Sequence, residues 1–271
     1  MLEVKDADFV RLANYMMDNY GINLTKKKHL IQSRLNAILS SGKYETFNEY
    51  VDYITGGNAS VEDVRVILNR LTTNHTYFMR ESSHFDFFKN KILPELEKKY
   101  SSNKSIAIWS AGCSSGQEPY TLTMLLFDYF GTRRKEWNLK LLATDISNHA
   151  MSIAKKGSYI AEELKDVPES WKKNYMTEKN GIYTVTPEVR SNVVFREFNL
   201  MDDIKFRSSF DVIFCRNVMI YFEPDVKAAL VKRFYGASNK GAYLLIGQSE
   251  TLDKSSNPYS FVSPATYIKK D

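Results

Sequence analysis

Residues 106–120 read IAIWSAGCSSGQEPY. The run Ile106-Ala107-Ile108-Trp109 carries no charge and has strong β character, so it predicts a buried strand. Ser110-Ala111-Gly112-Cys113-Ser114-Ser115-Gly116 then breaks it with small residues. A helical pattern follows over 119–130, with Leu122, Leu125, Leu126 and Tyr129 at helix spacing. A buried strand, a small-residue turn and a helix form the first unit of an open α/β sheet. Small residues are needed where another group must approach the backbone at the strand's carboxyl end. The loop is not G-x-G-x-x-G, because Ala111 and Cys113 interrupt that spacing, and no Gly-Lys-Ser/Thr follows to make a phosphate loop. Taken alone, it reads equally as a tight turn with no ligand.

An acid downstream favours a ligand. Residues 140–147, KLLATDIS, read as a second strand ending in Asp145. An acid at that tip can accept hydrogen bonds from both hydroxyls of a ribose. A ribose acid without a phosphate-gripping motif favours a nucleoside over a dinucleotide. S-adenosylmethionine fits, since it has an adenosine and a cationic sulfonium tail but no phosphate.

Composition narrows the class. With 271 residues, 43% hydrophobic and 25% charged, the chain can bury a substantial core as one or two globular domains. A net charge of +5 is consistent with an acidic partner. Cys113 and Cys215 have no metal-ligand spacing and imply no disulfide framework, so they read as packed thiols and no metal is expected. The N-terminus lacks a basic-then-apolar signal pattern, and no apolar run is long enough to span a bilayer. A cytoplasmic location without membrane insertion is expected. With the sequence ending at Asp271, no extra signalling domain is expected.

The first 71 residues predict a small helical domain. Phe9, Leu12, Ala13, Met16 and Tyr20 form one stripe over 8–20, and Gly21 stops it. Thr25 can cap a second helix with Leu30, Ile31, Leu35, Ile38 and Leu39 inward. Thr46 and Glu49 form a capping box, and Ser60 caps a fourth helix bearing Val64, Ile67, Leu68 and Leu71. Lys26, Lys27 and Lys28 open the second helix, with Arg34 behind them. Such a run is either a solvated face or a docking surface for an acidic helix. Lysines at a helix N-terminus oppose its dipole, which hints at the second use. Aromatic-basic interleaving is absent, so nucleic acid is not the expected partner.

Residues 72–90 read as a linker running into a new helix expected over 82–100, and within it Arg80 is a fixed cation suited to a carboxylate. The remainder, 91–271, alternates strands and helices. Further strands are expected over 182–185, 193–198, 210–217, 241–247 and 266–268, and the residues at 158–176 read as polar and aromatic with short helical pieces. Gly112, Asp145, Asn199 and Asn217 all fall at strand carboxyl ends, where open α/β sheets bind ligands.

Five segments in order, LTTNHTYFMRE, WSAGCSSGQEPY, ATDIS, FCRNVMIYF and LLIGQSETL, make the chain resemble the chemotaxis receptor methyltransferase family, CheR. The resemblance covers nearly the whole chain. It implies an S-adenosylmethionine-dependent methyltransferase domain of Rossmann-like α/β fold. That domain would follow the helical domain and carry a small antiparallel β-subdomain inserted at about 177–196. It also implies methyl esterification of glutamates on the helical cytoplasmic bundle of chemoreceptors. By the same resemblance Asn74, Thr76, Arg80, Ala111, Gly112, Glu118, Asp145, Asn199, Leu200 and Asn217 hold the cofactor. Arg80 and Tyr221 orient the acceptor carboxylate, while Lys26, Lys27, Lys28 and Arg34 dock the receptor. Gln117 replaces an acid common in the family, but Glu118 is kept. The short hairpin at 177–192 argues against tethering to a receptor C-terminal peptide.

Methyl transfer from a sulfonium to a carboxylate is an in-line displacement that needs neither acid nor base, so no proton-transfer residue is expected. Two other readings stay open. One is a carboxyl methyltransferase for another acidic protein or a small carboxylate. The other is a non-catalytic adapter that binds S-adenosylmethionine.

Overall fold

The computed structural model describes residues 4–270. Helices α1 (Asp6–Tyr20), α2 (Lys28–Leu39), α3 (Phe47–Thr55) and α4 (Val61–Leu71) form a helical domain. Its core holds Leu12, Met16, Ile31, Leu35, Val51 and Ile67, each fully buried. Gly21 ends α1 in the left-handed region, at φ 70°. Thr46 and Ser60 accept the expected backbone N–H bonds, from Glu49 and Asp63 at 3.1 Å each. Thr25 does not cap α2, which starts three residues later. Its N–H and hydroxyl instead donate to the Asn23 side chain at 3.0 and 2.7 Å, an Asx turn that competes with the helix. The side chain of Leu39 lies outside what the structure describes.

A long helix follows as α5 (Ser83–Phe87), a π-helical turn (Phe88–Ile92) and α6 (Leu93–Lys99). Pro94 explains the π turn. Proline has no N–H for the α-helical ladder, and the ladder slips by one residue just before it, with Leu93 N–H bonding Phe88 O. Phe85, Phe88, Ile92 and Leu93 pack into the core of the second domain. The true connection is therefore 72–82, shorter than the expected 72–90.

The second domain is an α/β sheet domain. In chain order its elements are β1 (Ile108–Ala111), α7 (Gln117–Phe130), β2 (Leu141–Asp145), α8 (Asn148–Lys156), β3 (Ser158–Ile160), α9 (Glu169–Tyr175), β4 (Met176–Lys179), β5 (Ile182–Val185), α10 (Pro187–Ser191), β6 (Val193–Glu197), β7 (Phe210–Cys215), α11 (Pro224–Gly236), β8 (Ser238–Ile246), β9 (Ser260–Ser263) and β10 (Thr266–Ile268). The main sheet runs β6-β2-β1-β7-β8-β10-β9. Strands β6 to β8 in that order are parallel, and β10 runs antiparallel to both its neighbours, β8 and β9. The chain leaves β1 toward β2 on one side and returns with β7 on the other. The carboxyl ends of β1 and β7 thus flank the switch point where such sheets bind ligands.

Strands β3, β5 and β4 form a separate antiparallel sheet. The small β-subdomain therefore spans 158–185, not 177–196. Its first strand hides in a segment that reads as polar, because only Tyr159 of β3 is buried. Residues 193–197 belong to the main sheet beside β2. The hairpin β4–β5 closes through Asn180 and Gly181, both at positive φ (53° and 76°), a two-residue turn matched to strand twist.

Candidate cofactor and acceptor site

A cleft open to solvent lies between the switch point and the helical domain. Asn74, Thr76, Arg80, Gly112, Glu118, Asp145, Asn199, Leu200, Asn217 and Tyr221 all line it, as does Lys27. Tyr20, Ile22 and Leu24 line it from the helical side.

The floor is set by backbone geometry. Gly112 sits at φ +87°, and a Cβ there would overlap Val218. Only glycine lets the chain turn left-handed at this point with the β7 tip packed against it. Asp145, at the end of β2, is 9% exposed. Its Oδ2 accepts Ser114 N–H at 2.7 Å and its Oδ1 accepts Ser147 N–H at 2.8 Å. Burial raises its pKa, and the N–H groups of Ser147, Ser114 and Ile146 pull against that rise. One carboxylate thus folds the 112–116 loop and starts α8, and it keeps acceptor capacity for a ligand hydroxyl.

Glu118, in the first turn of α7, accepts the Ser110 hydroxyl at 2.7 Å and Arg216 Nη1 at 2.9 Å. The Arg216 side chain is 2% exposed and lies over the Phe85 ring at 5.0 Å. Its Nη2 donates to the Arg80 carbonyl and meets Glu81 Oε2 at 3.2 Å. Two carboxylates thus neutralise this buried cation, although its Nε has no hydrogen-bond partner among the described residues. Burial pushes the Glu81 carboxyl up, but hydrogen bonds from Asn217 and Gln248 N–H, with the Arg216 charge, hold it below its ordinary value.

The connection 72–82 crosses the cleft under strain. Met79 and Glu81 are both left-handed, at φ 61° and 56°, with Arg80 between them. Arg80 Nη1 donates to His75 O at 2.8 Å, and its guanidinium lies 5.8 Å from the Tyr77 ring centre. Asn74 donates to the Ser147 hydroxyl at 3.3 Å, and its carbonyl accepts the Ser114 hydroxyl at 3.0 Å. Asn199 donates to Asn19 O of α1 at 2.8 Å. Tyr221 is half-buried. Its carbonyl accepts Asn23 N–H at 3.0 Å, and Lys27 Nζ lies 5.2 Å from its ring centre.

Some expected residues stand elsewhere. The Ala111 side chain is buried in a core cluster with Ile213 and Leu244 and does not line the cleft. Arg34 Nη1 donates to the carbonyls of Leu71 and Thr72, at 3.2 and 2.9 Å, and so caps the end of α4. Lys28 pairs with Asp6 at 2.5 Å, and Lys26 is exposed. The basic triplet therefore divides, with Lys27 in the cleft and its neighbours outside it.

Residues 74–268 match the family described as CheR methyltransferase, SAM binding domain, and residues 7–72 match its all-alpha domain. The chain belongs to the CheR methyltransferase family. It is 40% identical to a chemotaxis protein methyltransferase of Borreliella burgdorferi, over 99% of this chain and 96% of that protein. It is 33% identical to chemotaxis protein methyltransferase 1 of Pseudomonas aeruginosa, over 96% of each. This CheR chain is thus a methyltransferase, and S-adenosylmethionine is its cofactor. The cleft fits that group, since two acids, Asp145 and Glu118, line it with a glycine floor at Gly112.

Sequence reasoning missed Arg216, Glu81 and Glu250. Glu250 is 3% exposed and accepts the N–H groups of Gly247, Asn217 and Ile220 at 2.6, 3.0 and 2.9 Å. The available signal was charge at positions flanking apolar strands. A charged residue next to a fully buried strand end, as Arg216 follows Cys215, must find buried partners.

Proposed function

We propose that this CheR protein transfers the methyl group of S-adenosylmethionine to glutamate side chains on the helical cytoplasmic bundle of chemoreceptors. The products are glutamate methyl esters and S-adenosylhomocysteine. The observation that carries this reading is the joint lining of one cleft by Asp145 and Glu118 and by the cations Arg80 and Lys27. The acids suit an adenosine and a cationic tail, and the cations suit an acceptor carboxylate. The names of the relatives point to the same substrate class.

The cofactor supplies a methyl group on a cationic sulfur with a neutral leaving group. A glutamate side chain has a pKa of about 4.3 and is already ionised at neutral pH, so no residue has to move a proton. The chain's own contribution is alignment and exclusion of water. Asp145, Asn74 and Glu118 hold the cofactor. Arg80 and Tyr221 orient the acceptor, while Tyr20, Ile22 and Leu24 close the helical side against solvent. Lys26 and Lys28, outside the cleft, provide a basic face for the acidic receptor helix. With a two-residue turn closing its hairpin, the small sheet is not needed as a tether to a receptor C-terminal peptide.

Labelled methyl transfer to a receptor cytoplasmic fragment tests the reaction. Alkali-labile label on glutamate supports it, whereas alkali-stable label, or no transfer with cofactor bound, rejects it. Arg80→Ala and Tyr221→Phe are each expected to lower kcat about 10- to 100-fold with the fold intact. Unchanged turnover in both variants would remove these residues from the acceptor site.

A further inference from the structure

The segment after β7, residues 216–222, carries Asn217 and Tyr221 into the cleft, and no regular element supports it beyond a short 3-10 turn at Met219–Tyr221. Two carboxylates from distant parts of the chain hold it instead. Glu250 Oε2 accepts Asn217 N–H at 3.0 Å and Gly247 N–H at 2.6 Å, and its Oε1 accepts Ile220 N–H at 2.9 Å. On the other side Glu81 Oε1 accepts the Asn217 side-chain amide at 3.0 Å, and its Oε2 accepts Gln248 N–H at 3.1 Å. Asn217 itself is left-handed, at φ 58°, a conformation that asparagine tolerates better than most residues.

We propose that Glu250 is a positioning residue for methyl transfer: its ionised carboxylate fixes the 217–221 segment, and through it Tyr221, against the acceptor. This rests on the reading of Tyr221 as an acceptor-orienting residue. The donor count gives the charge state. Both carboxylate oxygens face N–H groups, so a protonated or amide side chain would put a donor against a donor. Burial disfavours the ionised form and raises the Glu250 pKa against those bonds. A buried charge with no ion-pair partner among the described residues is a costly way to stabilise a fold. A costly charge holding the wall of an active cleft is what a positioning role calls for. Gly247 belongs to the same device. A Cβ there would lie 2.6 Å from Asn217 Nδ2 and 2.9 Å from Glu250 Oε2, so only glycine lets the carboxylate and the amide meet.

Glu250→Gln is isosteric and separates position from packing. Hydrogen exchange on the full chain needs no acceptor. Exchange at the Asn217, Ile220 and Gly247 amides is expected to accelerate about 10-fold or more, with the β1 and β2 amides unchanged. On the receptor fragment, kcat is expected to fall about 10- to 100-fold, with cofactor affinity by calorimetry changed less than about threefold. In the Tyr221→Phe background the same substitution should cost much less, because both act on one group. Unchanged exchange at the three amides overturns the proposal. So does a loss of kcat that multiplies in full with that of Tyr221→Phe, or an equal loss of cofactor affinity and of exchange protection throughout the domain. If Tyr221→Phe alone is silent, the acceptor reading of Tyr221 fails. The exchange result then still decides whether Glu250 holds the segment.

Discussion

The two walls of the cleft are built on different principles. The sheet wall is fixed by backbone groups, with Asp145 gripping Ser114 and Ser147 and Gly112 packed under Val218. The helical wall presents Tyr20, Ile22, Leu24 and Lys27 as side chains. Separate polar ties join it to the sheet domain: Asn69 to Ser147 at 2.9 Å, Asn199 to Asn19 O at 2.8 Å, Asn23 N–H to Tyr221 O at 3.0 Å and Arg65 to Glu197 at 2.9 Å. Backbone-fixed groups suit a ligand that is the same at every turnover. A wall of side chains on a separate domain suits a macromolecular acceptor that must enter and leave.

The largest break in this comparison should come from the sheet wall. Asp145→Ala removes the proposed ribose acid and leaves two buried N–H groups unpaired, each costing about 1–3 kcal/mol. Cofactor affinity by calorimetry is expected to fall by about 100-fold or more. A tenfold or smaller loss would mean that the loop is held by other contacts.

A second test uses His84, which is 3% exposed, with neither ring nitrogen hydrogen-bonded among the described residues. Burial, reinforced by Arg216 and opposed by Glu81, lowers its pKa to about 4. The unfolded chain, with an ordinary histidine pKa near 6.5, then binds more protons than the folded chain between pH 6.5 and 4. Stability is therefore lost as pH falls through that window, by about 2 kcal/mol between pH 7 and 5. Denaturant titrations of the wild type and of His84→Leu at both values check this. The variant should lose correspondingly less, and parallel losses would place the acid sensitivity elsewhere.

The smallest effect belongs to the seam. Arg65 and Glu197 form a pair with side chains 32% and 38% exposed. Arg65→Ala should cost less than about 1 kcal/mol in stability and leave cofactor affinity unchanged. A large loss in either would mean that the two domains are coupled more tightly than their contacts suggest.

The sequence made the sheet wall legible and left its supports hidden. Trp109, Gly112, Asp145 and Asn217 announce themselves because strand tips, small-residue turns and isolated acids have local signatures. Arg216, Glu81 and Glu250 do not, because their meaning lies in partners 98, 135 and 33 residues away. Ala111 and Arg34 show the converse. Each sits beside functional residues in sequence, yet one packs the core and the other caps α4. The small sheet was misplaced because β3 buries a single tyrosine and alternates too briefly to register as a strand.

The most direct test of the division of labour, with the cofactor held by the sheet domain and the receptor met by the helical domain, is a paired measurement on a Lys26→Glu/Lys28→Glu variant. Cofactor affinity would be read by calorimetry and KM by methyl transfer to a receptor cytoplasmic fragment. The account predicts a KM raised about tenfold, more so at low salt, with cofactor affinity unchanged. An unchanged KM, or an equal loss of cofactor affinity, would contradict it.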